Sequence, residues 1–194
     1  MDNADLYCIS CGVEADFTLK CELPMCKNCY SITTQQFTKF KEERTKFFPE
    51  MDKIIDNLYL GNEDAANNKS FLDQSNISHI LIAGSFLSKL GTPEYTYHQI
   101  EVDDSTKENL RNHFASCAKF IDEAIKDEKS VLVHCAAGVS RSASIIIAFL
   151  IITKKMDYDT AFNFVKERRT KIMPNSAFVG QLQELAESVK NNSF

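Results

Sequence analysis

No stretch of this sequence stays apolar for long. The longest such run, Ile145 to Ile152, falls far short of the roughly 20 residues a membrane-spanning helix needs, and reads instead as a buried core helix. No apolar segment follows the acidic start Met1-Asp2-Asn3-Ala4-Asp5, so the expectation is a chain without a secretory signal. Residue 2 is Asp rather than Gly, which excludes N-myristoylation of this form. Positive charge is also scarce. Lys and Arg number 22 against 27 Asp and Glu, a net charge of −5, which speaks against non-specific attraction to nucleic acid or to an anionic membrane. Internal repeats and low-complexity tracts are absent too. With 44% hydrophobic and 25% charged residues among 194, the composition is that of an ordinary soluble domain with room for a small appendage.

Cysteine, by contrast, is plentiful at one end: five of the seven fall before residue 30. An odd count without a signal points to a reducing compartment, cytoplasmic or also nuclear, where thiols bind metal or do chemistry. Residues 1–31 read as a cysteine-rich module too thin in apolar groups to fold unaided. Cys8-x2-Cys11 and Cys26-x2-Cys29, with fourteen residues between the pairs, have the form of a tetrahedral four-thiolate zinc site. One structural zinc there would supply the missing folding free energy. Cys21 is a fifth thiol that could replace one of the four. Six basic against eight acidic residues in 1–50 make this a poor nucleic-acid finger, so bracing the fold or docking a protein partner is the expectation. Residues 32–50 follow as a helical linker, with Phe37, Phe40 and Phe47 along one edge.

Residues 51–194 alternate strands and helices. Ile54 to Leu60, His79 to Ala83 and Tyr97 to Val102 read as strands. Val131-Leu132-Val133, apolar throughout, reads as a central one. Leu110, Phe114, Cys117, Ile121 and Ala124 recur at helical spacing; so do Tyr158, Ala161, Phe162 and Val165 after a cap at Asp157, and Leu182, Leu185, Ala186 and Val189 after Pro174-Asn175. The fold class is therefore α/β, a mostly parallel central sheet flanked by helices.

Between the apolar strand and the longest apolar helix lies Cys135-Ala136-Ala137-Gly138-Val139-Ser140-Arg141. The backbone N–H groups of residues 136–141 lie beside a helix N-terminus, whose free donors and positive dipole end favour an anion. Arg141 adds a planar fork for two phosphate oxygens. Gly138 allows a backbone conformation that a Cβ would resist. The same field favours ionisation of Cys135, since thiols so placed titrate at about 3.5–7.5 against ~8.5 when free. A thiolate nucleophile for a phosphate ester is the chemistry this spacing predicts.

His134-Cys135-x5-Arg141-Ser142 resembles the active-site loop of the protein tyrosine phosphatase superfamily, in the version found in small, atypical dual-specificity phosphatases. Ile54-x3-Leu58-Tyr59-Leu60-Gly61 is similar to that family's first strand, and Pro174-Asn175-x2-Phe178-x2-Gln181-Leu182 to its last helix, so the likeness spans about residues 51–190. It implies a phosphorylated protein substrate carrying phosphotyrosine, phosphoserine or phosphothreonine, and no catalytic cofactor. It further implies that Cys135 forms a phosphocysteine, Arg141 binds phosphate, Ser142 hydrogen-bonds the departing sulfur and His134 orients the loop from behind. The N-terminal zinc-finger-like module is an addition to that domain. Ala136, Ala137 and Val139 stand where relatives acting on inositol phospholipids usually carry lysines, which disfavours such substrates. A scaffold of this fold that binds phosphoproteins without turnover is the alternative class.

A leaving oxygen needs a proton, and Asp103 and Asp104 follow the third strand. If the pleat persists, Asp104 shares the buried face with Ile100 and Val102 while Asp103 meets water; the family's acid loop also selects Asp104. Lys166, Arg168, Arg169 and Lys171 read as a solvated helix end, with a second phosphate site as the alternative. Cys117 reads as a small buried hydrophobe, with a resolving thiol for Cys135 as the alternative.

Overall fold

The computed structural model describes residues 50–87, 89, 91 and 93–193, together with the backbone of residues 17–18 and 24–25. The chain divides into two compact units, Met1–Phe47 and Phe48–Phe194. In the first, β1 (Phe17–Thr18) and β2 (Pro24–Met25) pair antiparallel. The five N-terminal cysteines lie outside the described residues, as does the expected linker helix apart from its last residue.

Where one strand was expected from Ile54 to Leu60, the second unit has a hairpin of β3 (Met51–Ile55) and β4 (Leu58–Gly61). Asn57 turns the corner at φ 63°, a left-handed conformation that asparagine adopts more readily than most residues. Apolar neighbours on both sides of Asp56-Asn57 masked that turn in the sequence. The hairpin puts an antiparallel edge on an otherwise parallel sheet of order β3-β4-β7-β5-β6, with β5 spanning Ile77–Ala83, β6 Thr96–Ile100 and β7 Ser130–His134. The sheet is thus mixed.

β7 is the middle strand, parallel to both neighbours. Val131, Leu132 and Val133 are each fully buried. Successive strand residues face opposite sides, so both faces of the sheet are covered at this point. Two short helices, α1 (Glu63–Ala66) and α2 (Lys69–Gln74), precede β5. α3 (Arg111–Lys126) buries Phe114, Cys117, Ile121 and Ala124, the stripe read from the sequence. α4 (Arg141–Lys154) is buried at every position from Arg141 to Ile151. A helix apolar all round is a central one, and α3, α5 (Tyr158–Arg168) and α6 (Ser176–Lys190) pack around it. Asp157 caps α5 by accepting from the Thr160 N–H at 2.8 Å. Among the described residues no helix is long and apolar enough to cross a membrane.

Burial pushes the Cys117 thiol up to about 12, against a weaker opposing hydrogen bond with Ser116. A thiol so protonated at neutral pH is no nucleophile. Cys117 is a packing residue, and the resolving-thiol alternative loses its chemical basis.

Candidate active site

The fold brings together side chains from three separate connections at the C-terminal end of β7. That strand ends at His134, delivers Cys135 into a tight loop, and the chain re-enters regular structure at Arg141. Gly138 sits in the loop at φ 66°. A Cβ there would lie 2.4 Å from the Gly61 carbonyl oxygen and 2.6 Å from Arg169 Nη2, so glycine is required by backbone angle and by space alike. Among the described residues, no N–H group of residues 136–141 donates to a backbone carbonyl. Those donors, at the start of a helix, suit an oxyanion.

Cys135 is 2% exposed, and its sulfur accepts a hydrogen bond from the Ser142 hydroxyl at 3.2 Å. Burial is the largest single influence on this thiol and pushes it up. The hydroxyl and backbone N–H of Ser142, the Val139 N–H and the Arg141 charge together outweigh burial and hold it below its ordinary range. Hydrogen bonds to the charged form and a nearby cation both favour ionisation. Arg141 is itself 5% exposed. Its Nη1 donates to the Val102 carbonyl at 3.3 Å, and its Nε lies 3.9 Å from Asp104 Oδ2, too far for a hydrogen bond. That buried Nε has no partner among the described residues, which leaves it free to donate to a bound anion. Gly84 gives the guanidinium its space: a Cβ there would meet Nη1 at 2.9 Å.

The strand's alternation does not reach the acid. β6 ends at Ile100, and although Val102 is still buried, Asp103 and Asp104 are both exposed. Partners separate them instead. Asp104 Oδ1 accepts from Ser140 Oγ and from Asn175 Nδ2, each at 2.8 Å. Ser140 Oγ accepts in turn from the Asn175 N–H at 3.1 Å. Asp104 is therefore tied to the Cys135 loop. Among the described residues, Asp103 meets only Ser85 Oγ at 3.4 Å and, through its N–H, Glu108. Asn175 escaped the sequence reading as anything but a helix entry. As cap of α6 it accepts from the Phe178 N–H at 3.1 Å, while its other amide atom holds the carboxylate.

His134 is 1% exposed, with Nδ1 3.3 Å from the Cys135 carbonyl oxygen. Burial pushes its pKa down to about 4 from an ordinary 6.5, against the opposing hydrogen bond to Cys135. A neutral imidazole behind the loop fits a structural role. Burial also lowers His79 and His98. Unfolded chains take up protons on these rings below about pH 6.5, whereas folded His134 does so only near 4. Stability is therefore intact above pH 6.5 and falls between there and pH 4. The His134 share is up to roughly 3 kcal/mol. Urea midpoints measured across that window should show a steeper decline for wild type than for His134→Gln.

Arg169 was expected at a solvated helix end, and the structure corrects this. It is 2% exposed and stands against the loop, its Nε donating to the Gly138 carbonyl at 2.8 Å and its Nη2 to Ala137 at 3.4 Å. Asp52 and Glu50 balance its charge. Helix position alone gave no sign of this, because the chain leaves α5 at Arg169 in an extended conformation, φ −136° and ψ 90°, and turns the side chain inward. Arg169→Lys keeps the charge but loses the planar fork. Loosening a positioned loop by about 1 Å can cost ~10²-fold. A fall of that order in kcat/KM on para-nitrophenyl phosphate is expected, with melting followed in parallel; unchanged kinetics would remove Arg169 from the loop's support.

Residues 58–188 match the family model described as dual specificity phosphatase, catalytic domain. The chain is similar to Dual specificity protein phosphatase 1B of Arabidopsis thaliana, 37% identical over 144 residues that cover 74% of this chain and 86% of the relative. Among solved structures it is similar to the human tyrosine phosphatase-like serine/threonine/tyrosine-interacting protein, at 36% identity and a TM-score of 0.68 over 74% of this chain and 99% of that one. It is also similar to a mouse putative dual specificity phosphatase complexed with zinc tungstate, at 27% identity and a TM-score of 0.72 over 75% and 92% of the two chains.

Proposed function

The chain belongs to the dual specificity phosphatase family, and on that premise we propose how its own residues carry the reaction. It is a protein phosphatase that removes phosphate from tyrosine, serine and threonine by the cysteine-based mechanism and needs no catalytic cofactor. In the proposed course Cys135 attacks as thiolate, forming the phosphorus–sulfur bond as the ester bond to the side-chain oxygen breaks. Asp104 gives its proton to that oxygen. Arg141 and the N–H groups of Ala136, Ala137, Gly138, Val139, Ser140 and Arg141 hold the equatorial oxygens. Water then attacks phosphorus, Asp104 takes its proton, and the Ser142 hydroxyl stabilises the sulfur as it leaves. The observation that carries this course is the Cys135 sulfur 3.2 Å from Ser142 Oγ, where Ser142, Val139 and Arg141 outweigh its burial and hold it below its ordinary pKa. Acid-quenching the enzyme during turnover and mapping the added phosphoryl by mass tests it. Label on any peptide other than the one bearing Cys135 would refute it.

For the first unit we propose one structural zinc on Cys8, Cys11, Cys26 and Cys29. The donor set of four soft thiolates supports it, as does the antiparallel pairing of β1 with β2 between the two cysteine pairs. Cys21 is left over as a spare thiol, and the module as a brace or a docking site for a protein partner. Elemental analysis should find about one zinc per chain, lost when Cys8 and Cys11 are both replaced by serine. Zinc retained by that double variant would reassign the ligands. A cytoplasmic or nuclear location accords with seven cysteines and a nucleophile that works only when reduced.

A further inference from the structure

Two large apolar side chains are strongly exposed among the described residues, Phe86 at 66% and Met173 at 72%. Water-facing apolar groups scattered singly need no explanation. These are not scattered. Phe86 lies over the Arg141 guanidinium, 5.3 Å from its ring centre. Met173 is tied through its N–H to the Val139 carbonyl at 2.9 Å. Each is thus attached to a different residue of the loop that holds phosphate, one from the β5–β6 connection and the other from the α5–α6 connection.

We propose that Phe86 and Met173 form an apolar rim along which the ring of phosphotyrosine lies, so that within its dual specificity this enzyme prefers phosphotyrosine. The inference rests on the function given above and adds the choice among its substrates. When phosphate sits on Arg141 and the loop amides, the atoms next to it depend on the ester. In phosphotyrosine a flat apolar ring separates phosphorus from the polar backbone. In phosphothreonine or phosphoserine the backbone follows almost at once. An aromatic face and a thioether offer favourable contact to the ring, and offer nothing to peptide N–H and C=O groups that must stay solvated. Ala136, Ala137 and Val139, the loop side chains that are not buried, are small and uncharged, so nothing at the loop itself rewards a second charge. The Arg141 guanidinium over which Phe86 lies is itself buried and donates to the Val102 carbonyl.

The experiment compares kcat/KM on two peptides identical except for phosphotyrosine or phosphothreonine, for the full chain, Phe86→Ser and Met173→Ser. The tyrosine-to-threonine ratio within each protein, relative to wild type, is the readout, because leaving-group chemistry is then common to all. The ratio should fall roughly ten-fold in each variant, the order of discrimination that an apolar contact supplies. Inhibition by inorganic phosphate, which lacks a ring, should stay within about two-fold. A ratio unchanged in both variants overturns the rim. So does an equal loss on both peptides, which would make Phe86 and Met173 supports of the loop. Wild type that hydrolyses neither peptide nor para-nitrophenyl phosphate would instead defeat the underlying function.

Discussion

Cys135→Ser brings the hydrolysis of para-nitrophenyl phosphate down to the background rate while the protein still binds inorganic phosphate. Serine keeps the size and the hydrogen-bond partner Ser142, but an alkoxide is out of reach at neutral pH, where the thiol of Cys135 is held below its ordinary range by Ser142, Val139 and Arg141 in spite of its burial. The anion-holding groups are separate from the sulfur, so binding survives where chemistry does not. Phosphate monoesters react so slowly unaided that no residual route competes. Wild-type turnover indistinguishable from the variant would demote the protein to a phosphate-binding scaffold. Loss of phosphate binding together with turnover would show that the substitution had damaged the loop, and Cys135→Ala would then be the cleaner comparison.

Asp104→Ala should cut kcat on a phosphothreonine peptide by roughly 10²–10⁴, and by far less on para-nitrophenyl phosphate, whose leaving group needs little protonation. Asp103→Ala should change neither by much, since among the described residues its carboxylate reaches only Ser85; a larger loss there would overturn the assignment. Asn175 sharpens the test. Asn175→Asp retains an acceptor for the Phe178 N–H at the start of α6 but removes the donor 2.8 Å from Asp104 Oδ1. Its effect on the alkyl substrate should vanish once Asp104 is already alanine, because two groups acting through one contact are not additive.

The anion cradle was legible because it is local. Strand, thiol, glycine, guanidinium and the Ser142 hydroxyl occupy thirteen consecutive residues from Ser130 to Ser142, and a strand running into a helix fixes their order in space. The helical stripes were legible for the same reason, Cys117 among them. The hairpin at Asn57 was not, since its strand residues read continuously across a two-residue turn. The acid could be narrowed to a pair of neighbours by sequence, yet the pleat used to choose between them had already ended at Ile100.

The sequence by itself determined the chemistry of this protein: one sulfur beside six backbone donors and one arginine, set in an α/β domain. The tertiary structure alone decided that Asp104 is tied to that sulfur's loop through Ser140, that Asn175 holds it there, and that Arg169 supports the loop from within. Ser140 and Asp104 are 36 residues apart, Gly138 and Arg169 31, Asp104 and Asn175 71. Over such separations no periodicity links one residue to another; only the packing of α4 and its neighbours against β7 brings them within hydrogen-bond reach.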